Sequence, residues 1–319
     1  MEITCDNCQS RYLLKDSLIR PEGSRVRCSH CRHVFTVMPP PEADTPPQEK
    51  PPAAPAAPRK PARVVAVSNQ KGGVAKTSTC FNLGIALAQK GQRVLLVDFD
   101  IQANLTLLLG CQGSPTFHKL VQTPGMGPAE IIQATRFDHL WLLAAGNEMV
   151  LLSKAYFGKP NFETLLKNKL DGLRHGFDVI LIDTPPSIEF FTLNALTAAE
   201  EVIIPCQCDF LATHGVHQIV KMIEVISGRS RTALPYRLLF TMYDPQDTVS
   251  RVIRNKMQAR YPDRCYQTCI RQDALLRASQ FMGQPAHHYE TESHAGQDYL
   301  ALADEFTKAT SSRGPKGQD

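Results

Sequence analysis

Residues 71–78 combine the residue types that bind phosphate groups. They read Lys-Gly-Gly-Val-Ala-Lys-Thr-Ser and come shortly after the apolar run Val64–Val67. A short buried strand, a glycine turn and a Lys-Thr pair that opens a helix form a phosphate-binding loop. Backbone N–H groups at a helix N-terminus carry partial positive charge and bind oxyanions. Lys76 is placed to reach the terminal phosphates of a nucleotide, and the Thr77 hydroxyl is placed to bind Mg²⁺. The expected nucleotide contacts are Gly72, Gly73, Val74, Ala75, Lys76, Thr77 and Ser78.

This loop differs from the common phosphate-binding loop. The common pattern has glycine where Gln70 and Ala75 stand, and here a second lysine, Lys71, precedes Lys76. The alternative interpretation is a Gly-Gly turn with exposed lysines. The flanking strand and helix both favour the phosphate loop.

Carboxylates follow two further apolar strands. The run Arg93–Val97 ends in Asp98-Phe99-Asp100-Ile101-Gln102-Ala103-Asn104, and Val179–Ile182 ends in Asp183 followed by Thr-Pro-Pro-Ser. Ligands of open α/β sheets bind at the carboxyl ends of the strands, so these carboxylates and the loop should converge there. Asp183 is then expected to hold Mg²⁺, usually through water. Alternatively, acidic residues at a strand end only cap and solvate the strand.

Strands and helices are predicted to alternate along the main part of the chain. Strands are expected near residues 63–68, 93–98, 140–144, 178–182, 201–205, 236–242 and 265–270. Helices are expected near residues 76–90, 161–175, 214–228, 248–261 and 296–309. Near-continuous apolar strands between amphipathic helices predict an α/β fold with a largely parallel sheet and helices on both faces. Gly91 and Gly110 stand where helices or turns should stop.

Taken together, these segments resemble the ParA/MinD family of dimerising P-loop ATPases, whose phosphate loop is a deviant Walker A motif. Residues 98–104 are similar to the family's Asp-x-Asp-Pro-Gln-x-Asn switch segment, with Ile101 in place of proline. Residues 179–187 look like a Walker B strand, and Leu238–Asp244 resembles the strand that ends near the adenine. Residues 270–276 read Ile-Arg-Gln-Asp-Ala-Leu-Leu where the family usually has Ile-Pro-Arg-Asn-x-x-Leu. The resemblance covers about residues 62–310.

The resemblance implies a hydrolase that converts ATP to ADP and phosphate. In the family, the first lysine of the loop reaches across a dimer to the partner's nucleotide, which would be the role of Lys71. Asp100 matches the carboxylate that positions the attacking water, so Lys71, Lys76 and Asp100 are the expected catalytic residues. Asn104 would stabilise the switch segment, and Met242 would lie near the adenine. Adenine contacts at 270–273 stay open because the family's proline and asparagine are absent there.

The N-terminal 38 residues are predicted to be a separate zinc ribbon. Two Cys-x-x-Cys pairs, Cys5/Cys8 and Cys28/Cys31, supply four thiolates, which suit a closed tetrahedral Zn²⁺ site. A module this short buries too little apolar area to fold alone, so the metal would supply much of its folding energy. His30 and His33 are alternative ligands, and a redox pair is an alternative function for these cysteines.

Composition sets the remaining expectations. Ten of the 23 residues at 39–61 are proline, which predicts an extended linker. The expected domains are therefore a ribbon (1–38), the linker (39–61), an ATPase domain (62–312) and a disordered tail (313–319). No apolar run approaches the ~18 residues of a membrane span, and the N-terminus does not resemble a signal sequence. The expected location is the cytoplasm.

The resemblance offers three functions. The first is positioning or segregation of a cargo, such as a partition complex or a protein cluster, by an ATP-dependent homodimer. That dimer would bind DNA non-specifically, associate with the nucleoid and be stimulated by a ParB-like protein or a cargo adaptor. The second is a MinD-like membrane cycle, which needs a C-terminal amphipathic helix, whereas residues 309–319 have no apolar face. The third is an ATP-regulated scaffold whose zinc ribbon binds a partner protein.

Basic residues near the C-terminus are the candidate DNA contacts. The patch contains Arg251, Arg254, Lys256, Arg260, Arg264, Arg271 and Arg277. The expected contacts within it are Arg251, Arg254, Arg271 and Arg277. Phosphate contacts would make the binding independent of sequence and strongly dependent on salt. The alternative is an ordinary solvated helix surface, because Arg251, Arg254 and Lys256 are not all on one helix face.

Overall fold

The chain forms two compact units, Met1–Glu49 and Lys50–Asp319. The computed structural model describes residues 2–13, 24–37, 60–289 and 293–311. The predicted tail and all but the last two residues of the predicted linker lie outside these ranges.

The first unit contains two short antiparallel hairpins. Strand β1 (Glu2–Thr4) pairs with β2 (Arg11–Leu13), and β3 (Ser24–Arg27) pairs with β4 (Val34–Val37). Among the described residues of this unit, the buried core consists of Cys5, Cys28, Phe35 and Val37, so two of these four side chains are thiols.

The second unit is built on a seven-stranded sheet. In chain order its strands are β5 (Arg63–Val67), β6 (Val94–Asp98), β7 (Gln133–Ala134), β8 (Leu140–Leu143), β9 (Val179–Asp183), β10 (Glu201–Gln207) and β11 (Tyr236–Thr241). Their order across the sheet is β11-β10-β5-β9-β6-β8-β7, and every pairing except β7–β8 is parallel. All residues of β6 and β9 are buried, as expected for strands covered on both faces.

Helices cover both faces of this sheet, which confirms the predicted fold. They are α1 (Lys76–Gln89), α2 (Asn104–Leu108), α3 (Phe117–Gln122), α4 (Val150–Tyr156), α5 (Leu165–Leu170), α6 (Phe190–Ala198), α7 (Phe210–Ser230), α8 (Thr248–Arg260), α9 (Ala274–Phe281) and α10 (His294–Ser311). Apolar residues of α1, α2 and α10 pack on one face, and those of α3 to α8 pack on the other. None of the helices in the described residues is long and apolar enough to cross a membrane.

Two predicted elements are wrong. Residues 265–270 do not form a strand, although they run beside β11 through isolated bridges from Leu238 to Cys265 and from Tyr243 to Arg271. Leu238 and Tyr243 are five residues apart, whereas Cys265 and Arg271 are six residues apart. The one extra residue in the second segment interrupts a regular ladder of backbone hydrogen bonds.

The predicted helix at 161–175 is also broken. It consists of α5 between two 3₁₀ turns, Phe162–Thr164 and Asp171–Leu173. Asn161 has a φ of 59°, which does not belong to a helix, and Gly172 lowers helix propensity near the other end. By contrast, Gly91 and Gly110 have φ values of 80° and 71° directly beyond α1 and α2, as predicted.

Candidate functional site

The loop between β5 and α1 has the backbone of an anion-binding loop. Gly73 and Ala75 have left-handed φ values of 74° and 70°, and Ala75 is the N-cap of α1. No acidic residue lies in the first turn of α1, so nothing there offsets the positive end of the helix dipole. The loop is tied to the sheet by the Thr241 hydroxyl, which donates to the Val74 carbonyl oxygen at 3.2 Å. A phosphate group therefore fits at the N-terminus of α1.

Lys76 places a cation under this loop. Its side chain is buried, and Nζ donates to the Lys71 carbonyl oxygen at 3.1 Å. Burial lowers the pKa of Lys76, while the nearby carboxylates of Asp183 and Asp100 raise it. The ammonium thus lies between the loop and the acidic residues, where a phosphate would replace its bond to the loop carbonyl.

Asp98 and Asp183 form a buried carboxylate pair at the carboxyl edge of the sheet. They are opposite each other where β6 pairs with β9, and both are 0% exposed. Burial and the charge of Asp98 raise the pKa of Asp183 well above its usual value, and burial raises the pKa of Asp98 to about 6. The Thr77 side chain lies close enough to Asp183 to lower the pKa of its carboxyl group. Neither carboxylate oxygen of Asp183, however, has a hydrogen-bond partner of regular geometry. Buried oxygens without donors suit a cation, and Asp183 with the Thr77 hydroxyl offers the oxygen ligands that Mg²⁺ prefers.

Thr106, two residues beyond the switch segment 98–104, is hydrogen-bonded to Asp98 at the start of that segment. The Thr106 backbone N–H and hydroxyl both donate to Asp98 Oδ2, at 2.8 and 2.7 Å. The same hydroxyl accepts a bond from the backbone N–H of Ala145, just beyond β8, at 3.0 Å. Thr106 belongs to none of the sequence motifs described above. The available signal was a hydroxyl residue in the short helix after the acidic pair.

Asp100 and Asn104 lie in the switch segment, between Asp98 and Thr106. Asp100 is buried, and its Oδ1 accepts a bond from the Gln102 backbone N–H at 3.0 Å. Asn104 begins α2 and is exposed. Met242 follows β11 and is half-buried, with a φ of 50°. Asp100 lies close enough to Lys76 and Asp183 for its charge to raise the pKa of both groups. The predicted roles of Asn104 and Met242 stay predictions.

Lys71 is held within its own chain. Its ammonium forms an ion pair with Asp209, just beyond β10. Its backbone N–H donates to Asn69 Oδ1 at 3.1 Å, and Asn69 Nδ2 donates to the Pro205 carbonyl oxygen at 2.7 Å. Gly215 of α7 passes so close that a Cβ there would lie 2.6 Å from Asn69 Oδ1. The outer side of the loop thus packs against the end of β10 and the start of α7.

The four ribbon cysteines converge as predicted. Their sulfur atoms all lie within 4.8 Å of one another, and no disulfide joins them. The Cys5–Cys31 and Cys8–Cys28 sulfur distances are 3.6 and 3.5 Å. A tetrahedral Zn²⁺ with bonds of about 2.3 Å sets its sulfurs about 3.8 Å apart, so the cluster fits one zinc ion. Neither His30 nor His33 belongs to this cluster.

The predicted DNA contacts differ in their exposure and in their partners within the chain. Arg251 on α8 and Arg277 on α9 are exposed, whereas Arg254 is half-buried with its guanidinium 5.3 Å from the Tyr243 ring centroid. The Arg271 guanidinium makes several hydrogen bonds to the Asp298 carboxylate at 2.8 to 3.1 Å. This ion pair offsets the charge of Arg271, and its predicted contact with DNA stays a prediction.

Comparisons with known proteins match both units. A family model described as an AAA domain matches residues 62–236, and a zinc-ribbon domain model matches residues 1–36. The chain is 33% identical over 248 residues to the sporulation initiation inhibitor protein Soj of Bacillus subtilis, covering 76% of this chain and 97% of Soj. It is also 33% identical over 256 residues to the chromosome partitioning protein ParA of Caulobacter vibrioides, covering 77% and 94% of the two chains.

A solved structure with bound nucleotide is similar as well. It is cobyrinic acid a,c-diamide synthase from Mycobacterium smegmatis with bound ADP and magnesium. The TM-score is 0.68 at 32% identity, and the match covers 81% of this chain and 100% of the synthase chain.

Proposed function

This chain belongs to the ParA family of ATP hydrolases, with ATP, Mg²⁺ and Zn²⁺ as its cofactors, and we propose that it positions or segregates a cargo through ATP-gated, sequence-independent binding to DNA. The observation that carries the proposal is the pair of lysines in one phosphate loop. Lys76 is buried beneath the loop, while the Lys71 side chain at its outer edge is 26% exposed. One lysine thus serves the chain's own nucleotide, and the other can reach that of a second copy.

Each residue of the site has a distinct role in the proposed hydrolysis of ATP. Lys76 and the amides at the start of α1 bind the terminal phosphates, and Mg²⁺ neutralises charge on them when bound. Thr77 and Asp183 are the proposed Mg²⁺ ligands. Asp100 holds the attacking water, and Asp98 with Thr106 keeps the Asp100 segment in place. The arrangement supports catalysis by positioning and electrostatics, which suffice for phosphoryl transfer.

Lys71 supports the proposed ATP-dependent dimerisation. In the single chain its ammonium pairs with Asp209, so it must leave this partner to contact a nucleotide in another protomer. Completion of the site by a second copy makes dimerisation and hydrolysis depend on each other. A ParB-like protein or cargo adaptor would stimulate hydrolysis by stabilising the completed site.

The similarity to a chromosome partitioning protein favours cargo positioning over other ATP-driven reactions. Soj and ParA are matched over almost their entire lengths, at 97% and 94%. We assign the ribbon to residues 1–38, the linker to 39–61, the ATPase domain to 62–312 and the tail to 313–319. In this assignment the ribbon binds a partner, and the ATP-bound dimer lies on the nucleoid in the cytoplasm.

Sedimentation and ATP turnover test this proposal together. The protein should sediment as a monomer with ADP and as a dimer with ATP, and duplex DNA should increase its ATP turnover without any small-molecule acceptor. A protein that turns over ATP only with an acceptor carboxylate and an amine donor would instead have the amide-forming activity for which the Mycobacterium protein is named. Turnover by a permanent monomer would also contradict the proposal.

A further inference from the structure

A basic groove lies between α7, the start of β11 and the end of α8. Its volume is about 490 Å³. Three cationic side chains line it, Lys221 from α7 and Arg260 and Arg264 from the end of α8 and beyond, together with His217. Glu224 is the one acidic residue in the lining. The groove therefore has an excess of positive charge on a solvent-accessible surface.

These three cations have no carboxylate partner among the residues that the structure describes. Other basic residues of this unit do, such as Arg63 with Glu201, Arg93 with Asp178 and Arg271 with Asp298. Lys221, Arg260 and Arg264 are all exposed. Their charges are thus available to an external anion, unlike that of Arg271.

Two tyrosines orient the arginines of the groove. The Arg264 guanidinium carbon lies 4.6 Å from the Tyr236 ring centroid, and that of Arg260 lies 5.8 Å from the Tyr261 ring centroid. The two rings are 6.4 Å apart and pack edge to face. A guanidinium on an aromatic face keeps its N–H edge free, and this edge matches phosphate oxygens.

The groove changes the location of the basic surface expected from the sequence. Arg260 and Arg264 belong to the predicted patch, but their neighbour in space is Lys221, which is 39 residues before Arg260. Arg254 turns towards Tyr243 and Arg271 towards Asp298. Arg254 and Arg271 are thus engaged within the chain, and the three cations that share one groove lie at the other end of α8, near Arg260.

We propose that this groove binds the phosphodiester backbone of DNA in the ATP-bound dimer. The inference rests on the proposed function and adds the surface that carries it. The lining offers cations and aromatic faces, which suits phosphates rather than the pattern of one base sequence. A dimer presents two such grooves, and a duplex that reaches both is bound with higher apparent affinity without a new kind of contact.

Fluorescence anisotropy with a short labelled duplex of arbitrary sequence tests the groove. The parent protein carries Asp100→Ala, to slow hydrolysis, and is measured with ATP at about 50 and about 200 mM salt. Lys221→Ala with Arg264→Ala should weaken binding at least about tenfold and lower the salt slope by about one for each lost contact. Glu224→Gln should act in the opposite direction and tighten binding.

A matched pair of exposed lysines provides the control. Lys119→Ala with Lys154→Ala removes the same charge from α3 and α4 and should leave the affinity nearly unchanged. Lys221→Ala alone, at an exposed position, should fold like the parent and bind DNA more weakly. If the parent binds DNA and the groove variants bind equally well, the groove is not the site, although the proposed function stands. If the parent with ATP does not bind DNA at low salt, both are wrong.

Discussion

The Lys71 ammonium forms an ion pair with the Asp209 carboxylate of the same chain, so the loop lysine is engaged before any partner arrives. The side chains are 26% and 36% exposed, and pairs of this kind contribute about 0.2–1 kcal/mol. Such a bond orients Lys71 but is weak enough to be exchanged for a partner's phosphate. Asp209 would therefore bias the chain towards the monomer without preventing dimerisation.

Replacement of Asp209 should make dimerisation easier. Asp209→Asn removes the charge that competes with the partner's nucleotide. Because two Lys71–Asp209 pairs must break in each dimer, the ATP-dependent dimer should form at about 2- to 30-fold lower protein concentration. Lys71→Ala should instead weaken the dimer and lose hydrolysis. Sedimentation velocity over a concentration series with ATP measures both. A weaker dimer for Asp209→Asn would show that Asp209 supports the interface.

Removal of the Thr106 hydroxyl should slow hydrolysis and leave ATP binding almost unchanged. Thr106→Val keeps the shape of the side chain but removes one bond to Asp98 and leaves the Ala145 N–H without its acceptor. Because a hydrogen bond to a charged group contributes about 1.5–3 kcal/mol, kcat should fall about tenfold or more while KM for ATP changes little. Thr106→Ser keeps the hydroxyl and should restore kcat. A change in KM alone, or no rescue by serine, would contradict this positioning role.

Asp98 should make the nucleotide-free protein less stable at high pH. Burial raises its pKa to about 6, against about 3.9 in an unfolded chain. Between these values the folded state retains a proton that the unfolded state releases, so stability falls as the pH rises through this window. Asp98→Asn carries no charge and should raise the free energy of unfolding by about 1–3 kcal/mol near pH 8 and by almost nothing below about pH 4. Urea unfolding without Mg²⁺ or nucleotide measures this, and an equal effect at both pH values would argue against the assignment.

Metal content tests the ribbon. The purified protein should carry about one Zn²⁺ per chain, and Cys28→Ser should lose it, since a three-thiolate site lacks a ligand of the closed tetrahedron. ATP turnover should be nearly unchanged, because the proline-rich linker is expected to separate the two units. His30→Ala is the control and should retain zinc. Loss of turnover together with the metal would mean that the ribbon acts on the ATPase domain directly.

The parts of the site that the sequence predicted are contiguous motifs. The phosphate loop and each Cys-x-x-Cys pair are short segments with a fixed spacing, and Asp183 directly follows an apolar strand. The carboxyl ends of parallel strands bring the phosphate loop and Asp183 together. The ion pair of Lys71 with Asp209 joins residues 138 positions apart, so no local pattern indicates it. Helix α2, which carries Thr106, has five residues, too few to show helical periodicity. Lys221 and Arg264 likewise lie on separate elements and share a groove only after folding.

The most direct test of the account is DNA binding by the Asp100→Ala protein with ATP and with ADP. This variant should bind ATP and dimerise but hydrolyse ATP slowly, because only the positioning of the attacking water is lost. Lys76→Ala should instead lose ATP turnover and dimerise poorly. A gel shift with duplex DNA at low and high salt should show binding of Asp100→Ala with ATP that is independent of sequence and falls sharply as salt rises. Binding should be absent with ADP and for Lys76→Ala. Equal DNA binding with ATP and ADP, or none with ATP at low salt, would contradict a nucleotide-gated DNA-binding ATPase.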